Sequence, residues 1–149
     1  MKLNKYAETL KWLALSLIIS VALCIFLYNE ILSTSSIMIN EVLKTLITLF
    51  GTMLGFVLTL MAIVISLIDK RLIKNMVKSG HYNNLLMSSK LLSLLYFISI
   101  AIYLVALMVT VRQPSAFLIS IGATLITAIY SLRTAYKFFQ IFKHIEPNK

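Results

Sequence analysis

Four stretches without a single charge constrain this chain more than any other feature. Between Lys11 and Glu30 lie 18 uncharged residues, between Lys44 and Asp69 lie 24, between Lys90 and Arg112 lie 21, and between Arg112 and Arg133 lie 20. A helix that crosses the hydrocarbon core of a bilayer needs about 20 predominantly apolar residues, within a range of about 17–25. All four runs qualify. A transmembrane barrel would need strict alternation of apolar and polar residues, and the run from Leu60 to Ile65 does not alternate. The sequence predicts an all-α membrane protein with four transmembrane helices, over about 12–29, 45–68, 91–111 and 113–132, in one domain covering residues 1–149.

Composition agrees. The chain is 60% hydrophobic and 13% charged, against about 45–50% and about 25% for a soluble domain. Its lone cysteine, Cys24, excludes an intrachain disulfide framework and reads as a core or lipid-facing side chain. The first run is too long for the apolar part of a signal peptide, and Tyr28-Asn29-Glu30 is no small-residue cleavage site. It reads as a retained anchor.

Charge sets the expected orientation. Of 14 Lys and Arg residues, all but Lys44 and Arg112 fall on the side shared by the two termini and the middle connector. The positive-inside bias therefore predicts N-in/C-in topology, with Trp12 and Tyr28 as interfacial aromatics at the ends of the first span.

The outer connections are predicted to be short: a polar loop over 33–40, and a tight turn around Pro114. The sizeable extramembrane part is the connector 69–90. Lys70, Lys74 and Lys78 recur every four residues there, opposite Leu72, Ile73, Met76 and Val77. Gly80 would stop that helix, and Asn83 and Asn84 would cap the next. From about residue 40 to 79 the second helix would be about 60 Å long, twice the hydrocarbon core. The fourth is predicted to run inward through Tyr136, Gln140 and Lys143 until Pro147. Helices 2, 3 and 4 thus carry a basic cytoplasmic extension.

The second span holds the most informative pattern. Thr45, Thr48, Thr52, Gly55, Thr59, Ala62 and Ser66 follow one another at spacings of three and four, which places them on one helical face. The stripe rises about 32 Å, the full hydrocarbon thickness. Gly51 and Gly55 form a GxxxG pair beside it, and Ser120, Thr124, Thr127, Ser131 and Thr134 make a shorter stripe on the fourth span. Such stripes have two readings. Small residues let membrane helices pack closely, with hydroxyls bonded across the contact or to their own backbone. Alternatively, a hydroxylated stripe lines a water-filled path, where hydroxyls solvate an ion without trapping it. The pore reading requires a homo-oligomer with the second span around the axis.

Other chemistries find little support. No Asp, Glu, Lys, Arg or His lies within the four runs, whereas coupled transporters place such groups at midplane. His81 and His144 have no metal-ligand spacing, and no His–acid pair is placed to activate a Ser or Thr. The expectation is a chain without catalytic residues, metal or cofactor, with His81 in a turn. The basic face has three readings: topology alone, contact with anionic lipid headgroups, or a site for a polyanion such as a DNA oligomer or nucleotide. Candidate ligand-binding residues are Lys70, Arg71, Lys74, Lys78, Arg133, Lys137, Gln140 and His144. Tyr136 and Phe139 flank the last four, as suits a stacked base.

The stretch Gly51-Thr-Met-Leu-Gly-Phe-Val-Leu-Thr-Leu-Met-Ala-Ile-Val-Ile-Ser-Leu-Ile-Asp69, followed by Lys78-Ser-Gly-His-Tyr82, resembles the small four-span subunits of bacterial anti-phage systems. The Hailong channel subunit is the nearest resemblance and the Kiwa membrane subunit the next. The resemblance covers about residues 46–99. It implies a homo-oligomeric, tetrameric effector of the bacterial inner membrane, paired with a cytosolic defence protein, that depolarises the infected cell. In the Hailong type it implies a channel held shut by a DNA oligomer. The expected function is an ion channel gated from the cytoplasm by a polyanion. The rival readings are a non-conducting sensor or anchor that docks a cytosolic protein, and a phage-type holin.

Overall fold

A computed structural model of the chain describes residues 2–33, 35–66, 81–109 and 115–143. Four helices account for all of these except Ser35: α1 (Lys2–Ser33), α2 (Ser36–Ser66), α3 (His81–Val109) and α4 (Ser115–Lys143). Three of them, α2, α3 and α4, are long and apolar enough to cross a membrane. The shorter apolar segment of α1 among the described residues is Ala14–Phe26. Among the described residues the fold is all-helical, with the helix lengths and apolarity of a membrane-associated protein.

The outer face bears this out in physical terms. Ile25 is 72% exposed, Phe26 81% and Met108 84%, while Ser16, Ser20, Ser99, Ser120, Thr127 and Thr134 are buried. Water would reverse that arrangement; hydrocarbon favours it, because apolar side chains lose nothing against lipid and hydroxyls gain partners between helices.

Two predicted boundaries move. The loop expected over 33–40 shrinks, because α1 runs to Ser33 and α2 starts at Ser36. Ser35 is the reason: its Oγ accepts from the Met38 N–H at 3.4 Å and its carbonyl from the Ile39 N–H at 3.1 Å. A serine placed this way satisfies amides that a helix start leaves unpaired. Likewise α3 begins at His81, so Asn83 and Asn84 lie in its first turn instead of capping it, and His81 is helical. The third and fourth helices do extend beyond their apolar runs, since α3 starts nine residues before Lys90 and α4 reaches Lys143. The expected extension of the second, with Gly80, falls outside the described residues.

The helices stand in a row. α2 packs on α3, α3 on α4, and α4 on α1; among the described residues no other pair is more than marginally in touch. Helices joined by a short connection usually pack together, yet α1 leaves α2 for α4. Its small residues explain the choice. Ser16 and Ser20 are buried, and the Cys24 thiol donates to the Leu118 carbonyl of α4 at 3.6 Å. A Cβ at Gly122 would meet Cys24 Sγ at 3.7 Å, ordinary contact distance, so Cys24 packs over Gly122.

Candidate functional site

The two hydroxyl stripes meet opposite fates. On α4, Ser120, Thr127 and Thr134 are buried. Thr127 Oγ1 and Ser99 Oγ of α3 lie 2.8 Å apart, as do Thr124 Oγ1 and the Tyr103 hydroxyl. This stripe joins α3 to α4. It is packing.

On α2, every member of the stripe (Thr45, Thr48, Thr52, Gly55, Thr59, Ala62 and Ser66) is exposed. The face that α2 buries against α3 is built from Ile39, Leu43 and Phe50, with Leu46, Ile47, Leu54 and Val57 partly covered. At about 100° per residue the centre of the stripe falls about 170° from Phe50 around the helix. The stripe therefore points directly away from the α2 surface that packs on α3. Each hydroxyl donates within α2: Thr45 to Glu41 O at 2.9 Å, Thr48 to Lys44 O at 3.1 Å, Thr52 to Thr48 O at 2.9 Å, Thr59 to Gly55 O at 2.9 Å and Ser66 to Ile63 O at 2.8 Å. A hydroxyl has one proton and two lone pairs, so the outward-facing chemistry of this face is that of acceptors. Glu41 is in phase with the stripe and pairs with Lys44 at 2.9 Å, both side chains being mostly exposed.

Of the predicted ligand-binding residues, Arg133 and Lys137 are tied into the helix row. The Arg133 guanidinium lies 5.4 Å from the Trp12 ring of α1 and 5.9 Å from the ring of Tyr130, within reach for cation–π attraction. The Lys137 ammonium donates to Ser88 Oγ of α3 at 3.3 Å. Both are half-buried. Tyr136 and Phe139 are exposed. Gln140 is a residue of α4, while Lys70, Arg71, Lys74, Lys78 and His144 lie outside the described residues. Among the described residues, no group of three or more His, Cys, Asp or Glu side chains could hold a metal ion.

An aromatic clamp on the same helix escaped the sequence reading. Phe50 of α2 meets Tyr96 and Tyr103 of α3 edge-on, both at 5.2 Å between ring centroids, with interplanar angles of 76° and 80°. Tyr103 is fully buried, and its hydroxyl continues to Thr124 of α4. The available signal was a pair of tyrosines seven residues apart inside a span, where a phenol needs a polar partner.

Among the described residues, this arrangement is a row of apolar helices, long enough in three cases to cross a membrane, whose end helix α2 presents a hydroxylated face away from α3. No protein-family model, curated protein or solved structure matches the chain.

Proposed function

We propose that this chain forms a homo-oligomeric ion channel of the bacterial inner membrane, tetrameric as the resemblance implies. All four helices span the bilayer, both termini are cytoplasmic, and α2 surrounds the axis. The observation that supports this is the face of α2 from Thr45 to Ser66: it is exposed, hydroxylated and turned about 170° from the helix's own packing surface. A packing stripe would be covered, as the α4 stripe is. Because the α2 hydroxyls have committed their protons to backbone carbonyls, they offer lone pairs to a permeating ion, which favours cations. Glu41 would stand at the outer mouth of such a path.

In this reading the channel is the effector of an anti-phage system and is gated from the cytoplasm by a polyanion such as a DNA oligomer. The basic connector, with Lys70, Arg71, Lys74 and Lys78, supplies the first ligand contacts. Arg133 and Lys137 serve as a second layer, since both already hold neighbours in the row. Ion flux through the purified chain in liposomes, with and without single-stranded DNA oligomers, tests the proposal. Flux that DNA suppresses is the expected result; no flux under either condition sinks it.

The second reading is a non-conducting anchor for a cytosolic defence protein. Self-satisfied hydroxyls favour it, because each α2 threonine can face lipid or protein without needing water.

A further inference from the structure

We infer that the groove between α2 and α4 binds one glycerophospholipid, held by donation from the Tyr96 and Ser89 hydroxyls to its ester carbonyls. The inference rests on the reading of these helices as membrane spans and is independent of conduction.

The groove follows from the row. α2 and α4 both pack on α3 and are at most marginally in touch with each other, which leaves an open cleft of about 270 Å³ with α3 as its floor. Its walls are hydrocarbon, with Met53, Phe56 and Leu60 on α2 and Phe138 on α4. Its floor is not. Ser89 and Tyr96 line it at 2% and 7% exposure, and neither hydroxyl has a hydrogen-bond partner among the described residues. Neither oxygen is sealed off, so both open onto the groove. The remaining hydroxyls differ. Ser131 donates to Ala128 O at 2.8 Å and Thr134 to Tyr130 O at 3.0 Å, so their protons are committed. What the groove lacks is an acceptor for Ser89 and Tyr96. A hydroxyl held out of water without an acceptor is costly, and hydrocarbon tails offer none.

Depth identifies the ligand. Ser89 precedes Lys90, where the apolar run of α3 begins, and Ser131 and Thr134 flank Arg133, which lies against Trp12. Tryptophan collects at the boundary between headgroups and hydrocarbon. Tyr96 is seven residues, about 10 Å, further in. Aromatic side chains lean toward the N-terminus of their helix, which carries its hydroxyl back toward Ser89. That boundary is where a glycerophospholipid holds its ester carbonyls, above tails that suit the apolar walls. A plain hydrocarbon would fill the walls and leave both donors unpaired.

Native mass spectrometry of the full chain, purified in detergent and titrated with lipid, tests this. Two phosphatidylethanolamines with the same tails are compared, one ester-linked and one ether-linked, since the ether form lacks the carbonyls. The chain should bind the ester form about threefold tighter for each hydroxyl engaged. Tyr96→Phe keeps the ring against Phe50 and should remove about threefold of that preference. Tyr96→Phe combined with Ser89→Ala should remove all of it and leave ether binding unchanged. Ala135→Phe, at an exposed lining position, should fill the groove and abolish retention of both lipids without loss of helix content. Equal binding of the two lipids by the unaltered chain, or a preference that survives the double substitution, would overturn the inference. Undiminished binding to Ala135→Phe would place the lipid elsewhere and overturn it too. A disulfide between copies of Ala135→Cys in a Cys24→Ser background, with lipid excluded, would give the groove to a second copy and overturn it. A chain soluble without detergent would overturn the membrane reading along with it. Ester-selective binding by a chain that passes no ions would uphold this inference and sink only the channel.

Discussion

A threonine inside a membrane helix has one proton to give, and each stripe threonine of α2 gives it to its own backbone. What remains outward is oxygen. Replacing Thr52 or Thr59 by leucine swaps that oxygen for a branched hydrocarbon, and single-channel or liposome flux should fall about tenfold, a barrier increase of about 1.4 kcal/mol. Oligomer size by native mass should not change. If flux is unaltered, these hydroxyls do not line the path. Glu41 makes a different claim. Glu41→Gln removes the one carboxylate in phase with the stripe and should move the reversal potential under a salt gradient toward the unselective value. A potential unmoved by the change would place Glu41 away from the mouth.

At the scale of elements, the contrast between α2 and α4 is the main result. Both carry hydroxyls at spacings of three and four, but only the α4 set meets a facing helix with polar side chains to receive it, namely Ser99 and Tyr103 of α3. Tyr103→Phe should cost about 0.6 kcal/mol, the average for a hydrogen bond between membrane helices, measured by unfolding in mixed micelles. Phe50→Ala should cost more, about 3 kcal/mol, since it leaves a cavity between two tyrosine edges. Comparable losses for the two variants would mean that the aromatic clamp does not hold α2 on α3. Gly122 faces Cys24 across the α1–α4 contact. Gly122→Ala should be nearly neutral, because its Cβ would reach Cys24 Sγ only at ordinary contact distance, whereas Gly122→Leu should cost about 1–3 kcal/mol by overpacking.

Among the described residues the helices form a row whose two end members are α2 and α1. The α2 end carries the exposed hydroxylated face, which is why the proposed channel places its axis there. The basic side sets the expected response to ligand. If DNA oligomers act through the lysines and arginines of the proposed ligand site, apparent affinity must fall steeply with salt, with a log–log slope of about −0.7 per phosphate neutralised on a single strand. A titration of flux against oligomer at several salt concentrations measures it; a flat salt dependence would remove the polyanion from the mechanism. Arg133→Gln should weaken both ligand response and the α1–α4 contact, since Arg133 lies against Trp12.

Much of this was legible from residues alone. The spacing of Lys11, Glu30, Lys44, Asp69, Lys90, Arg112 and Arg133 delimits the apolar runs, because a charge in hydrocarbon is too costly to ignore, and three of those runs stand as helices long enough to cross. The small-residue periodicity of α2 and α4 was equally visible, because hydroxyls at intervals of three and four must share a face. Periodicity does not say what that face meets. The hydroxyls of Thr127 and Thr59 are alike in sequence terms, yet one is buried against Ser99 and the other is exposed. The partner of a helix depends on the shapes of all its neighbours at once. Ser16, Ser20 and Cys24 steer α1 to Gly122 of α4 and away from its chain neighbour, and that choice of partner, made by close packing in three dimensions, left α2 at the edge with its stripe uncovered.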